Sequence, residues 1–151
     1  MGFLSQNSFN KLKELEGQKI RKVSYFFWEN DKSEEVFKSL DWLEIKLHDD
    51  RKYVLNYGED SDGIELVDFS FDEEAEKIKT QFQGQIQLVY ENATLDQHWF
   101  PILDTEISEI SFDKRKGEIL NDRVIIKFKE HHMIEIYTLD EGMKVDYYEE
   151  V

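Results

Sequence analysis

The chain has 151 residues, 40% of them apolar and 14% aromatic, with no cysteine and a formal net charge of −15. That apolar supply lets one domain bury roughly 68–70% of the surface its unfolded chain exposes, without help from a metal or a disulfide. The lack of cysteine excludes thiolate nucleophiles, disulfide frameworks and cysteine–zinc sites, and the acidic balance disfavours nucleic acid and anionic membranes, which are bound through Lys and Arg.

The first residues, MGFLSQNSFNKLKELEG, lack the basic segment and apolar run of a secretory signal. No stretch reaches the ~20 apolar residues of a membrane span, so a cytoplasmic protein is expected. Phe9, Leu12 and Leu15 recur at helical spacing, with Asn7 or Ser8 as cap and Gly17 as stop. Leu43, Ile45 and Leu47 then alternate with Glu44, Lys46 and His48, the pattern of a half-buried strand. Tyr53, Leu55 and Tyr57 continue it as a return strand, and GEDSDG at 58–63 reverses the chain into 64–67.

A second helix is signed by Ser70 and Glu73, a capping-box pair, with Ala75, Ile78 and Phe82 on one face before Gly84. Residues 93–106, which hold the single Pro, fit neither period and read as a loop or an insertion in the second copy. Val124, Ile126 and Phe128 then alternate, followed by KEHH and by Ile134 and Ile136. The opposite face of this hairpin also carries Ile125, Met133, Tyr137 and Leu139, so it is expected to be the more central or more covered of the two.

The two strand-rich stretches resemble each other. IRKVSYF (20–26) lies over ISEISFD (107–113), WLEIKLHDDRKYVLNY (42–57) over RVIIKFKEHHMIEIYT (123–138), and GIELVD (63–68) over GMKVDY (142–147). A competing match for the opening strand pairs GQKIRKVSYF with GQIQLVYEN (84–92). Residues 53–76 hold nine acids and no Lys or Arg, and residues 130–151 hold seven acids and one Lys. Those segments carry −9 and −6, the whole formal −15, so the acidity sits at the equivalent end of each copy.

Catalytic and metal patterns are missing. If Gly63 were the obligatory glycine of a calcium-binding EF-hand loop, Gly58 and Phe69 would stand where the first and last ligands belong. His131 and His132, at the tip of the second hairpin, point apart if they are strand residues and converge only if they are in a loop, and neither they nor His48 beside Asp49 and Asp50 have a recognised ligand spacing. The chain has no nucleophile elbow, phosphate-binding loop, dinucleotide fingerprint or H-E-x-x-H. Neither a cofactor, a metal nor catalysis is expected; with 34 acids, adjacent carboxylates carry no specificity.

The expected fold is a single α+β domain, mainly antiparallel β. Two related meanders (about 20–68 and 107–147) would form one sheet, a sandwich or an open barrel, with two short helices. The expected function is non-catalytic binding, an electronegative face meeting a basic protein partner. Its acids would be Glu59, Asp60, Asp62, Asp68, Asp72, Glu73 and Glu74 in the first copy, and Asp140, Glu141, Asp146, Glu149 and Glu150 in the second. Tyr147, Tyr148 and Trp99 would be the aromatic anchors. Tyr147 and Tyr148 are adjacent, so at least one must face away from the core; Trp28, Trp99 and Phe100 have no counterpart in the other copy. One concrete form is an immunity protein that neutralises a bacterial toxin such as a nuclease. The alternatives are a ligand-binding or enzymatic domain with an aromatic-lined pocket on a curved sheet, and a scaffold whose acidity only keeps it soluble.

Overall fold

A computed structural model describes residues 2–30, 38–58, 63–138 and 142–149. The elements run α1 (Gln6–Lys13), β1 (Ile20–Asn30), β2 (Lys38–Leu47), β3 (Lys52–Gly58), β4 (Gly63–Val67), α2 (Phe71–Gln81), β5 (Ile86–Asn92), β6 (Ile107–Arg115), β7 (Glu118–Phe128), β8 (His132–Thr138) and β9 (Met143–Glu149). The strands make two antiparallel sheets, in the orders β4-β3-β2-β1-β5 and β6-β7-β8-β9. The fold is thus α+β and mainly antiparallel, in a two-sheet, sandwich-like arrangement. Residues 20–26 and 107–113 each open a four-strand meander, whereas 84–92 supplies β5, which pairs with β1 at the edge of the first sheet.

Strand alternation builds the shared core. Leu43, Ile45, Leu47 and Leu55 face Val124, Ile126, Ile134 and Ile136 in one cluster, which α1 closes with Leu12 and the turn after it with Leu15. Each such fully buried side chain stabilises the fold by roughly 1.5–3 kcal/mol. The outer face of the first sheet is covered as well. Phe26, Trp42, Val54 and Leu88 pack with Ile78 of α2 and with Phe69, Phe71 and Phe82 around it.

The outer face of the second sheet carries Ile125, Met133 and Tyr137, all only half-buried. This corrects the expectation that the second hairpin is the more covered. The helix that follows the first meander packs back onto its sheet, while the second sheet shields its apolar positions with long charged neighbours. Arg123 lies between Asp113, at 2.7 Å, and Glu135, at 3.4 Å.

The helix caps fall partly where the sequence placed them. Ser70 caps α2, accepting from the Glu73 amide at 3.5 Å. In α1 the cap is Ser5, which accepts from the Ser8 amide at 3.2 Å, rather than Asn7 or Ser8. Ser8 is buried, and its hydroxyl accepts from the Leu66 amide of edge strand β4 at 3.3 Å.

The β6 edge is closed by the segment after α1. The Gly17 amide donates to the Ile107 carbonyl and the Ile107 amide to the Gln18 carbonyl, both at 2.8 Å. The Ile110 amide donates to the Glu16 carboxylate at 2.9 Å, and Lys13 Nζ to the Ile110 carbonyl at 2.7 Å. The Ile110 amide holds the Glu16 carboxyl below its usual range; burial opposes this and Lys13 assists it. A carboxyl lowered on folding stabilises above its unfolded pKa, and that stability is lost as pH falls through the folded value. Glu16→Gln should therefore cost about 1 kcal/mol at pH 7, a charged hydrogen bond discounted for partial exposure. By pH 3 the gap to the parent should shrink. Urea unfolding at both pH values tests this, and a gap that is absent at pH 7 or undiminished at pH 3 counts against the Glu16 seal.

Candidate functional site

Each acidic turn begins or ends at a glycine that has no room for a side chain. A Cβ on Gly63, where β4 begins, would stand 2.6 Å from the Asn121 carbonyl oxygen of β7 and closer still to the Asn121 side chain. A Cβ on Gly142, just before β9, would stand 2.5 Å from Ser39 Oγ and 2.9 Å from the Leu40 carbonyl oxygen of β2. In the alignment of the two hairpins, Leu40 is the counterpart of Asn121. The glycine of each meander is thus seated on the equivalent strand of the other, a reciprocal contact of the kind a two-fold axis generates.

The register fixes where these seats lie. Trp42 pairs with Asn56, so Leu40 is at the end of the first sheet that carries Gly58 and Gly63. Arg123 pairs with Tyr137, so Asn121 is at the end of the second sheet that carries Thr138 and Met143. The roots of both acidic turns therefore meet at one end of the molecule. Glu59, Asp60, Asp62, Asp140, Glu141 and Glu150 lie outside the described residues.

From that end β9 runs along the edge of the second sheet, paired with β8. Tyr147 and Tyr148 point to opposite faces, as alternation requires. Tyr147 sits opposite Ile134, packs against the core, and places its hydroxyl 2.6 Å from His132 Nδ1. Tyr148 sits opposite Met133 on the outer face, 46% exposed, with its hydroxyl donating to Asp146 at 3.4 Å. Asp146 is directly across from Glu135. The Tyr148 phenol is pushed upward, first by the Glu135 charge, and the Tyr137 phenol first by its hydrogen bond to Asp146. Both record a locally negative surface, even though Lys144 is nearby, opposite Tyr137.

Other expected site residues fall elsewhere. Asp68 is exposed after β4; Asp72 and Glu73 are exposed and Glu74 half-buried in the first turn of α2. Negative charge is favoured there by the aligned peptide dipoles, which gives these acids a structural role. Because α2 covers the outer face of the first sheet, Asp72, Glu73 and Glu74 lie on the opposite side of the sandwich from Asp146 and Tyr148. Two packed sheets and a helix are roughly 20 Å deep, so the acids do not form one patch.

Trp99 must be reassigned. It is fully buried, and its indole N–H donates to the Tyr25 hydroxyl at 2.5 Å. It is a core residue and no surface anchor, because the 93–106 segment turns inward and buries Ala93, Trp99 and Ile102 together. The Trp99–Ile102 spacing next to Pro101, in a short helical turn, was the available signal. The exposed apolar residues of this segment are Leu95 and Phe100.

Among the described residues no group of three or more His, Asp or Glu side chains is placed to hold a metal ion. No described helix is long and apolar enough to cross a membrane. A cleft of about 260 Å³ at the β7–β8 tip mixes the charged Lys127, Lys129 and Glu130 with His132, Phe128 and Met133. Compared with protein-family models, with curated proteins and with solved structures, the chain matches none.

Proposed function

We propose that this protein is a non-catalytic, cytoplasmic binding protein whose acidic end and adjoining β8–β9 face receive a basic protein partner. The observation that carries this is the meeting of the two acidic turn roots, through Gly63 on Asn121 and Gly142 on Ser39 and Leu40. Charge that is separated by some eighty residues in sequence then acts as one field. Such a field steers an oppositely charged partner and repels nucleic acid. The aromatics give little support to a pocket. Phe26 and Trp42 pack on Phe69 at 4.7 and 5.2 Å, and Tyr25 is spent on Trp99. A toxin-neutralising immunity protein, facing a nuclease whose active site must be basic to hold phosphate, is the concrete form that fits.

The test is capture from the source cell lysate at low and high salt, followed by association kinetics with the captured protein. Reversing Glu59 and Asp60 to Lys, or Asp140 and Glu141 to Lys, should each slow association, on the order of tenfold at low salt. Reversing Glu73 and Glu74 on α2 serves as a control on the far side and should slow it less. If no basic protein is retained at low salt, or if one turn matters and the other does not, the proposal of a single acidic site fails.

A further inference from the structure

A sheet of hydrogen-bonded strands ends in rows of unpaired backbone groups, and natural proteins usually block them. The two sheets end in β4, β5, β6 and β9. Two of these edges are blocked from within the chain. The Ser8 hydroxyl takes the Leu66 amide on β4, while Gly17, Gln18, Glu16 and Lys13 occupy Ile107 and Ile110 on β6. Among the described residues, no backbone group of β5 or β9 bonds to anything beyond its own sheet.

The two open edges differ in chemistry. On β5 the one acid, Glu91, is paired with Lys38 at 3.5 Å. On β9 the outer face presents Lys144, Asp146 and Tyr148; Asp146 lies across from Glu135, which Arg123 pairs at 3.4 Å, while Asp146 itself has no ion pair among the described residues, and Glu149 is exposed at the end of the strand. The inner face of β9 presents Val145 and Tyr147, half-buried at the rim of the core. A second copy of the chain is a poor occupant, since each copy carries −15.

Resting on the basic-partner proposal, we infer that the free edge of β9 is a strand-addition site for an extended segment of that partner, one that alternates basic and apolar residues. An added strand lies about 4.8 Å from β9, with facing Cβ atoms about 4.5–5.5 Å apart. One set of its side chains then falls beside Asp146 and Tyr148, where Lys or Arg pairs and stacks. The alternate set falls beside Val145 and Tyr147, where an apolar residue extends the core. Main-chain hydrogen bonds supply the affinity, and the alternation supplies the specificity and the register.

The test uses the full chain and two blocked heptapeptides, one alternating lysine with valine and one alternating glutamate with valine, read by residue-resolved amide hydrogen exchange. The lysine peptide should slow exchange at alternate amides within 144–149, on the order of tenfold or more, and leave 86–92 unchanged. The glutamate peptide should do neither. Asp146→Lys should abolish the protection, and the milder Asp146→Asn should weaken it with the unliganded amide spectrum unchanged. Protection on β5, or binding that protects no β9 amide, overturns edge addition while leaving a basic partner in place. Failure of the lysine peptide to bind also overturns it, and only an accompanying lack of salt-sensitive capture from lysate would remove the basic partner too.

Discussion

Trp99→Ala should destabilise the fold by about 3–5 kcal/mol, a large share of the roughly 5–15 kcal/mol that holds a domain of this size together. Trp99 is fully buried in the core shared by the two sheets, so its loss leaves a cavity the surrounding strands cannot fill. It also removes the donor to the Tyr25 hydroxyl. Burial has pushed that phenol far above its usual range, which marks a site where an unpaired polar group is costly. Trp99→Phe separates the two contributions. It keeps most of the apolar volume and should cost about 1–3 kcal/mol for the orphaned hydroxyl. Adding Tyr25→Phe should recover part of that loss, because removing both partners is cheaper than removing one. Urea unfolding followed by circular dichroism measures all three. A surface anchor would behave oppositely, with stability unchanged and partner binding lost.

What the sequence revealed and what it hid follow a physical division. The strands through Leu43, Ile45 and Leu47 and through Val124, Ile126 and Phe128 were legible because an alternating face is a local property of the chain. So was the start of α2, where Ser70 and Glu73 sit three apart. The α1 cap was harder, since Gln6 and Asn7 put no apolar residue in the first turn and several polar residues compete for the role. The burial of Trp99 is hard to read because its segment has no sustained period; only the three-residue spacing to Ile102 beside Pro101 points inward.

Coverage of a sheet face is not local at all. Ile125, Met133 and Tyr137 show that the second hairpin is apolar on both sides, but what packs over it depends on where a distant helix lands. The Glu16 seal on Ile110 joins residues far apart in the chain in the same way. The segregation of charge was plain from counting; that the roots of the two acidic turns meet at one end required Gly63 and Gly142.

Those two glycines carry the second large prediction. Gly63→Ala should cost about 1–3 kcal/mol or more, because the new methyl meets the main-chain oxygen of Asn121 at 2.6 Å, which cannot rotate aside as a side chain can. Gly142→Ala combines a clash at the Leu40 carbonyl with a backbone φ of +73, adding roughly 1 kcal/mol of strain. Gly117→Ala isolates that second effect, since φ there is +82 but nothing lies within 4 Å of the added carbon. If Gly142→Ala costs no more than Gly117→Ala, the seat on β2 is not tight and the reciprocal contact loses its energetic meaning.

Because the two seats grip opposite sides of one interface, the double substitution should cost less than the sum of the singles, the first having already loosened what the second would strain. At a temperature where the variants remain folded, the same loosening should slow association with the basic partner, since it moves the acidic turns off a common end. Stability that falls while the association rate stays fixed would mean that the turns act independently. The field would then belong to two separate arms, and the case for a single site would go with it.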